Sequence, residues 1–457
     1  MAPPQPAGRE GSGLLDPQRP FRPDRLPVFY GWVIAAAATL GVLMSLPGQT
    51  MGVSVFTERL IDHLGLRRTT ISLAYLIGTL LSGFLVPSMG RALDRVGIRA
   101  GAMLAAFGMA LALALLATSG AIVDLARSTL GISDPFLPGM VVVTVGFFFL
   151  RFFGQGLLTL SSRNMIAKWF DRLRGRVNAL SGIFVSLGFS TAPWFLEELI
   201  QAVGWRGAWY GLAVASGIGF VLIAWIFFRD NPEECGLEMD GGRAGESEGG
   251  GNPDNRIVRA FTRAEAVRTL PYWLFNLSLA YQAFFITGYT FHVLSIGENL
   301  GIGREMILNL FLPGGVLAIM VSLFAGWMID RTRLKYVLTF FATGMVLFPA
   351  SLLLAPAAAG LPLLVMGFAI GNGCFTPLIG TVWARYFGRE HLGAISGLNM
   401  STIVISSALG PLFFSLSMDW TGSYRAAIAV CLVVAAVLWV GSWRADNPQR
   451  KLWEKKA

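Results

Sequence analysis

The sequence predicts an all-α integral membrane protein, with twelve transmembrane helices in two pseudo-symmetric six-helix bundles. Three observations carry this. Of 457 residues, 54% are apolar and only 14% charged, the balance of a chain that spends most of its length in lipid. Apolar runs that could cross a hydrocarbon core of about 30 Å, which takes roughly 20 helical residues, recur from end to end. The second half also repeats landmarks of the first at a nearly constant displacement.

The spans are expected at 29–56, 69–89, 100–118, 138–162, 177–199, 207–228, 271–296, 305–329, 334–354, 358–384, 393–417 and 424–443. The first carries Pro47-Gly48-Gln49 inside it, and the tenth is interrupted by Gly371, Asn372, Gly373 and Pro377. Breaks of this kind survive in a membrane where neighbours re-satisfy the freed backbone groups. Residues 1–28 are rich in Pro and Arg and lack the apolar core and cleavage site of a signal peptide, so they are expected as a solvated tail. A polar linker, 229–270, joins bundles 29–228 and 271–443, and 444–457 form a second tail.

The net charge of +9 is explained by topology. With both tails placed in the cytoplasm, the outer segments hold Arg59, Arg67, Arg68, Arg127, Arg206, Arg304 and Arg425, Arg151 lies inside a helix, and the other basic residues, Arg163 among them, fall on the inner side. That is the positive-inside pattern of a multi-pass plasma-membrane protein, and no nucleic-acid partner is needed to explain the charge. The bilayer itself is the expected partner, with a monomer as the functional unit. Cys235, Cys374 and Cys431 are too far apart for metal spacing or a disulfide framework, so no metal or cofactor is expected.

The internal repeat is specific. "AKWFDRLRG" from Ala167 matches "ARYFGREHLG" from Ala384, "GWRGA" from Gly204 matches "GSYRAA" from Gly422, and "RDNP" from Arg229 matches "RADNP" from Arg444. Phe170 pairs with Phe387, Arg206 with Arg425 and Pro232 with Pro448, displacements that agree within three residues. "GRALDRVGIR" from Gly90 returns as "GWMIDRTRLK" from Gly326, with the first copy longer between this loop and Ala167; Ser119 to Leu137 is the insertion, on the outer side. Gly90 and Gly97 permit tight turns, and Asp94 suits the N-terminus of a helix in the other half, where a carboxylate is stabilised.

Two six-helix halves around a midplane site are the organisation of many secondary transporters. On the G-x-x-x-D-R-x-G-x-R loop and its second copy, the chain resembles the major facilitator superfamily. "YGWVI" at Tyr30, "AKWFDRLRG", "NPEECGLEMDG" after the sixth span and "FHVLSIGENLG" at the end of the seventh resemble, more narrowly, the monocarboxylate transporter and oxalate/formate antiporter branch. The resemblance implies alternating access, with Gly90, Asp94, Arg95, Gly326, Asp330 and Arg331 as a conformational latch that forms and breaks as the halves rock.

Arg151 is the leading site candidate, because an arginine near the midplane costs about 2.5–3.5 kcal/mol even on lenient scales and is functional by default. It shares a helix face with Gln155, Thr159 and Ser162 at spacings of four, four and three, and with Gly154-Gln155-Gly156 it resembles the superfamily's R-x-x-x-G signature. Two roles stay open for it: bonding the carbonyls freed at Pro47, or holding a substrate carboxylate, to which a guanidinium is suited. Substrate-facing positions are also expected at Gln49 in the first span, Tyr75 in the second, Gln282 and Tyr289 in the seventh, Asn372 in the tenth and Asn399 in the eleventh. His292, in the outer third of the seventh span, is a proton-coupling or gate candidate.

No basic residue occurs in the middle of the eighth or eleventh span, where the anion carriers of the resembled branch use one, so a dicarboxylate cargo is disfavoured. The chain has no Gly-rich phosphate loop and no clustered catalytic set, so an enzyme is not expected. The reading is a secondary transporter of a small organic acid, with a proton as co-substrate. The alternatives are an efflux carrier for a neutral or hydrophobic compound, and a non-transporting receptor of the same fold.

Overall fold

A computed structural model describes residues 15–131, 134, 136–241, 257–302, 304–355 and 360–453. The far ends of both tails and the middle of the linker lie outside the described residues.

The first span is split: α1 (Gly31–Met44) ends in a 3-10 turn at Leu46–Gly48, and α2 (Thr50–Leu64) follows. Pro47 has no N–H for the helical ladder, so the chain breaks there. The second and third spans are α3 (Arg68–Val96) and α4 (Ile98–Ala117), and the insertion forms α5 (Ser119–Leu130). The fourth span is three pieces in one continuous helix: α6 (Phe136–Leu150), a π-helical segment at Arg151–Leu158, and α7 (Thr159–Trp169). The fifth span and most of the sixth form α8 (Arg174–Val214), bent at Gly204, whose φ of 75° and ψ of 161° suit only glycine. A second π turn, Ala215–Phe220, leads into α9 (Val221–Phe227).

The second half holds α10 (Arg263–Ala266), α11 (Leu270–Asn299), α12 (Arg304–Asn309), α13 (Phe311–Arg331), α14 (Leu334–Leu354), α15 (Gly360–Phe387), α16 (Leu392–Thr421) and α17 (Arg425–Ser442). Among the described residues, ten helices are long and apolar enough to span a membrane. They make eleven crossings, because α8 with α9 crosses twice, and α11, diluted by Asn276, Gln282 and His292, makes the twelfth.

Each half has its own apolar core. One gathers Ile34, Phe56, Leu113, Phe147 and Trp209, the other Phe285, Phe341, Phe348, Trp383 and Phe414. The cores touch along a seam: Met400 and Val404 of α16 join the first, and Ala167 of α7 joins the second. Glycines let backbones meet there, in the way small residues serve between membrane helices. A Cβ on Gly90 of α3 would stand 2.1 Å from the Gly393 carbonyl oxygen, and one on Gly175 of α8 would stand 2.4 Å from that of Gly326.

Residues 15–28, expected as solvated tail, are mostly exposed, yet their backbone is anchored on the first bundle. Arg99 at the start of α4 and Arg229 after α9 are both buried, and their guanidinium groups need acceptors. The tail supplies them: Arg99 donates to the Asp16 and Arg19 carbonyls at 3.0 Å each, and Arg229 to those of Pro17 at 2.5 Å and Arg19 at 2.7 Å. The adjoining linker is equally tied. Asp230 accepts the Ile98 and Arg99 amides at 2.5 and 2.9 Å, and Asp240 accepts those of Asp171, Arg172 and Leu173 at 2.7–3.2 Å. Burial pushes the Cys235 thiol in this linker up to about 12.

Candidate functional site

The site is built around the break in the first span. Gly48 crosses the fourth span so closely that a Cβ on it would lie 2.5 Å from the Leu150 carbonyl oxygen and 2.8 Å from Gly154 Cα. This crossing delivers the Gly48 carbonyl to Arg151, whose Nη1 donates to it at 3.1 Å and to Thr50 Oγ1 at 3.5 Å. The Tyr75 ring lies under the guanidinium at 5.1 Å, and its hydroxyl donates to Thr50 Oγ1 at 2.8 Å. Arg151 is 1% exposed, its Nε has no partner, and no carboxylate among the described residues pairs with it. It is a buried cation held by a carbonyl, a hydroxyl and a π face.

Below it, Gln49 Nε2 donates to Ser45 Oγ at 3.0 Å and to Thr159 Oγ1 at 3.4 Å, while Thr159 donates to Ser45 at 3.1 Å. Half-buried Gln155 keeps one amide end without a partner. Arg151, Gln155, Gln49 and Tyr75 therefore belong to one polar cluster. Ser45 was not anticipated; its position four residues before Gln49, beside the break, is the signal that would have found it.

The stripe on the fourth span continues differently from its sequence-based reading. Ser162 turns into the first bundle, where a Cβ on Gly41 would meet its Oγ at 2.3 Å. Arg163, counted above among the inner-loop residues, sits within α7 and carries the stripe on.

The second-half candidates are placed apart from this cluster. Tyr289 is 1% exposed and packs on Phe348 at 4.9 Å and Phe311 at 6.1 Å, so it is core and no cavity lining. Asn399 is buried and donates to Asn276 Oδ1 at 2.8 Å, joining α16 to α11. Gln282 is buried against Gly371, its amide nitrogen without a partner. Asn372 is half-buried and donates to its own helix at the Phe368 carbonyl, 2.8 Å away. His292 contacts the Pro411 carbonyl at 3.0 Å, Ser415 Oγ at 3.2 Å and the Tyr424 hydroxyl at 3.5 Å, all within its own half.

At the charged loops, Asp94 accepts the Gly393 and Ala394 amides at 2.7 Å each, at the N-terminus of α16. Asp330 accepts those of Gly175 at 2.8 Å and Arg176 at 3.2 Å, at the N-terminus of α8, and also Arg176 Nε at 3.0 Å. Gly393 and Gly175 are equivalent in the repeat, so the two contacts are copies of each other. Arg95 is exposed, and Arg331 lies over the Trp327 ring at 5.4 Å. Ser396 donates to Asn164 at 3.0 Å and Arg389 to the Lys168 carbonyl at 2.9 Å, further ties across the seam on the same face.

The family model for the Major Facilitator Superfamily matches residues 34–371 and 273–457. Among curated proteins, Monocarboxylate transporter 12 of Rattus norvegicus is 23% identical over 287 residues, covering 58% of this chain and 58% of its own length. The Homo sapiens protein of the same name is 25% identical over 325 residues, covering 63% of this chain and 59% of its own. The chain thus matches less than two thirds of the length of these relatives. The E. coli fucose:proton symporter FucP is 16% identical with a TM-score of 0.63, covering 91% of this chain and 99% of that one. A bacterial homologue of the iron transporter ferroportin, in an outward-facing state, is 13% identical with a TM-score of 0.62, covering 90% and 99%. At these identities the solved structures speak for the fold alone.

Proposed function

The chain belongs to the Major Facilitator Superfamily, and on that premise we propose that it is a secondary transporter carrying a small organic acid, with Arg151 holding the substrate carboxylate. One observation carries the reading: a 1%-exposed guanidinium in a spanning helix without an acidic partner among the described residues. A buried, unpaired cation is costly, and an entering carboxylate both neutralises it and is bound by it. The Gly48 carbonyl and the Tyr75 ring hold the cation in the empty protein, and the partnerless end of Gln155 is available to the rest of the substrate. The name of the two curated relatives supports the monocarboxylate class.

In this reading the structure is one end-state of alternating access. The face with the charged loops, taken as cytoplasmic because of its excess of Arg and Lys, is shut by Asp94, Asp330 and the glycine contacts beneath them. The membrane is the plasma membrane and the co-substrate is a proton, which keeps net charge movement small when an acid crosses.

The test is internal pH of proteoliposomes, with mono- and dicarboxylates added outside, for the native protein and for Arg151→Gln. The expected result is acidification above empty liposomes for some acids, lost in the variant. Folded protein that acidifies with none of them, or an Arg151→Gln variant as active as the native protein, overturns the reading in favour of efflux of a non-acid.

A further inference from the structure

The π-helical segment of the fourth span changes which residues share its face. An i→i+5 helix turns by roughly 80° per residue, against roughly 100° in an α-helix. Eight π steps from Arg151 to Thr159 and four α steps to Arg163 leave the two arginines roughly 40° apart around the axis; an unbroken α-helix would set them roughly 120° apart. Both therefore lie on one face, separated by roughly 15 Å along the helix.

Its neighbours show where that face points at Arg163. Thr159, four residues earlier, reaches Ser45 beside the break in the first span. Leu160 would stand 3.6 Å from a Cβ on Gly397, Asn164 accepts from Ser396, and Ala167, one turn on, belongs to the core of the other half. Arg163 projects between these directions, into the seam that separates the two halves on the face closed by the latches. It is half-buried, its Nη1 is buried without a partner, and no acidic residue among the described residues pairs with it. Further in, Arg389 is paired with Glu233 at 2.7 Å and donates to the Lys168 backbone carbonyl at 2.9 Å.

We propose that Arg163 is a second anion-binding station on the transport path, which takes the substrate carboxylate on the latched side once the seam between α7 and α16 opens. The proposal rests on the organic-acid reading for its ligand class and on the geometry of the fourth span for its place. A carboxylate leaving Arg151 would otherwise move toward the latched face with no partner, because the described lining between the two stations, Gln155, Thr159 and Gln49, is uncharged. A guanidinium on the same face roughly 15 Å on offers the next bidentate site. The closed seam covers it in this state, so it serves one half of the cycle only.

Two experiments test this. In proteoliposomes, with an acid that the native protein carries, KM is measured separately for substrate presented at the latched face and at the opposite face. Arg163→Gln is expected to raise KM at the latched face about tenfold, which is about 1.4 kcal/mol, and to leave the other KM within about twofold; Arg163→Lys restores most of the loss. Equal effects on both faces, or on neither, overturn the proposal. The second readout needs no substrate. Ala167→Cys, one turn beyond Arg163, is combined with Asp94→Asn and Asp330→Asn, and labelled with membrane-impermeant thiol reagents; the native cysteines are buried. A nearby cation attracts the anionic reagent and repels the cationic one, so the ratio of their rates should fall at least about threefold on adding Arg163→Gln. An unchanged ratio overturns the anion station. A reduced ratio beside a protein that carries no acid leaves the station standing and overturns the organic-acid reading.

Discussion

The two latch carboxylates give the most quantitative prediction. Asp94 and Asp330 each accept two backbone amides from the first turn of a helix in the opposite half, and Asp330 takes a third hydrogen bond from Arg176. Aspartate to asparagine keeps one acceptor oxygen, removes the charge, and turns an NH2 toward an amide that needs an acceptor. A charge-assisted bond is worth about 1.5–3 kcal/mol and a neutral one about 0.5–1.5, and the charge beside a helix N-terminus adds about 0.3–1 kcal/mol. The net loss is about 1–2 kcal/mol per latch in the closed state only. The latches lie on different helix pairs, so their losses add, and Asp94→Asn with Asp330→Asn should shift the equilibrium toward the opposite state by roughly 30- to 700-fold at 1.4 kcal/mol per decade. The assay is the labelling rate of Ala167→Cys from the latched side. The double variant should label at least about tenfold faster, and Asp330→Asn alone should act more strongly than Asp94→Asn, by the small margin that half-exposed Arg176 provides. Unchanged labelling in a double variant that elutes as folded protein would refute the view that these carboxylates hold the seam shut.

Gly48→Ala should lower the melting temperature in detergent, by about 1–3 kcal/mol of overpacking, and raise KM, because the intruding Cβ meets the backbone of Leu150 and Gly154 and moves the carbonyl that Arg151 uses; an unchanged melting point would contradict this. His63, beyond the apolar part of the first span, is held neutral by burial and by Arg206 beside it, partly offset by Asp124, so its imidazole lies below the usual 6.5. Its contribution is complete above that unfolded value and is lost as pH falls through the folded one, so melting points should drop more between about pH 7 and about pH 5 in the native protein than in His63→Gln; parallel curves would count against it. Monocarboxylates should compete for transport at least about tenfold better than dicarboxylates of similar size, and equal competition would defeat the single-cation reading of the site.

Much of the fold was legible in sequence because membrane crossing imposes length and apolarity on each helix, and because two copies of one bundle leave matching landmarks. The break at Pro47 was legible because proline cannot donate to the ladder, and the position of Asp94 because a carboxylate beside a helix start in a glycine-rich loop has few other uses. The π segment was not. A change of hydrogen-bond register from i→i+4 to i→i+5 leaves no periodic mark, and Gly154 and Gly156 read equally well as packing glycines. Ser162 was therefore placed on the cavity stripe where Arg163 belongs. Tyr289 and Asn399 were misjudged for a related reason: helical spacing gives a shared face, while whether that face meets a cavity or another helix depends on packing that one-dimensional periodicity does not contain. The docked tail escaped notice because its hydrogen bonds come from its own carbonyls, which are the same in any sequence.

The internal repeat also bears on the cargo. Displaced by the interval that pairs Phe170 with Phe387, Gln155 falls on Asn372 and Thr159 on Thr376, so the neutral polar positions are kept in both halves. Arg151 falls on Phe368 and Arg163 on Gly380, so both cations are confined to the first half. Phe368 packs with Phe311 at 5.4 Å and Phe348 at 5.8 Å, against the core of the second half. In the organic-acid reading, cations carried by the first half alone match a molecule with one charged end and one uncharged end. In that reading a second carboxylate would find no cation at the equivalent positions of the second half to offset the loss of its water. In the same reading the asymmetry suits the cycle: with both cations on one helix, the anion would stay beside the first half while the second half moves past it.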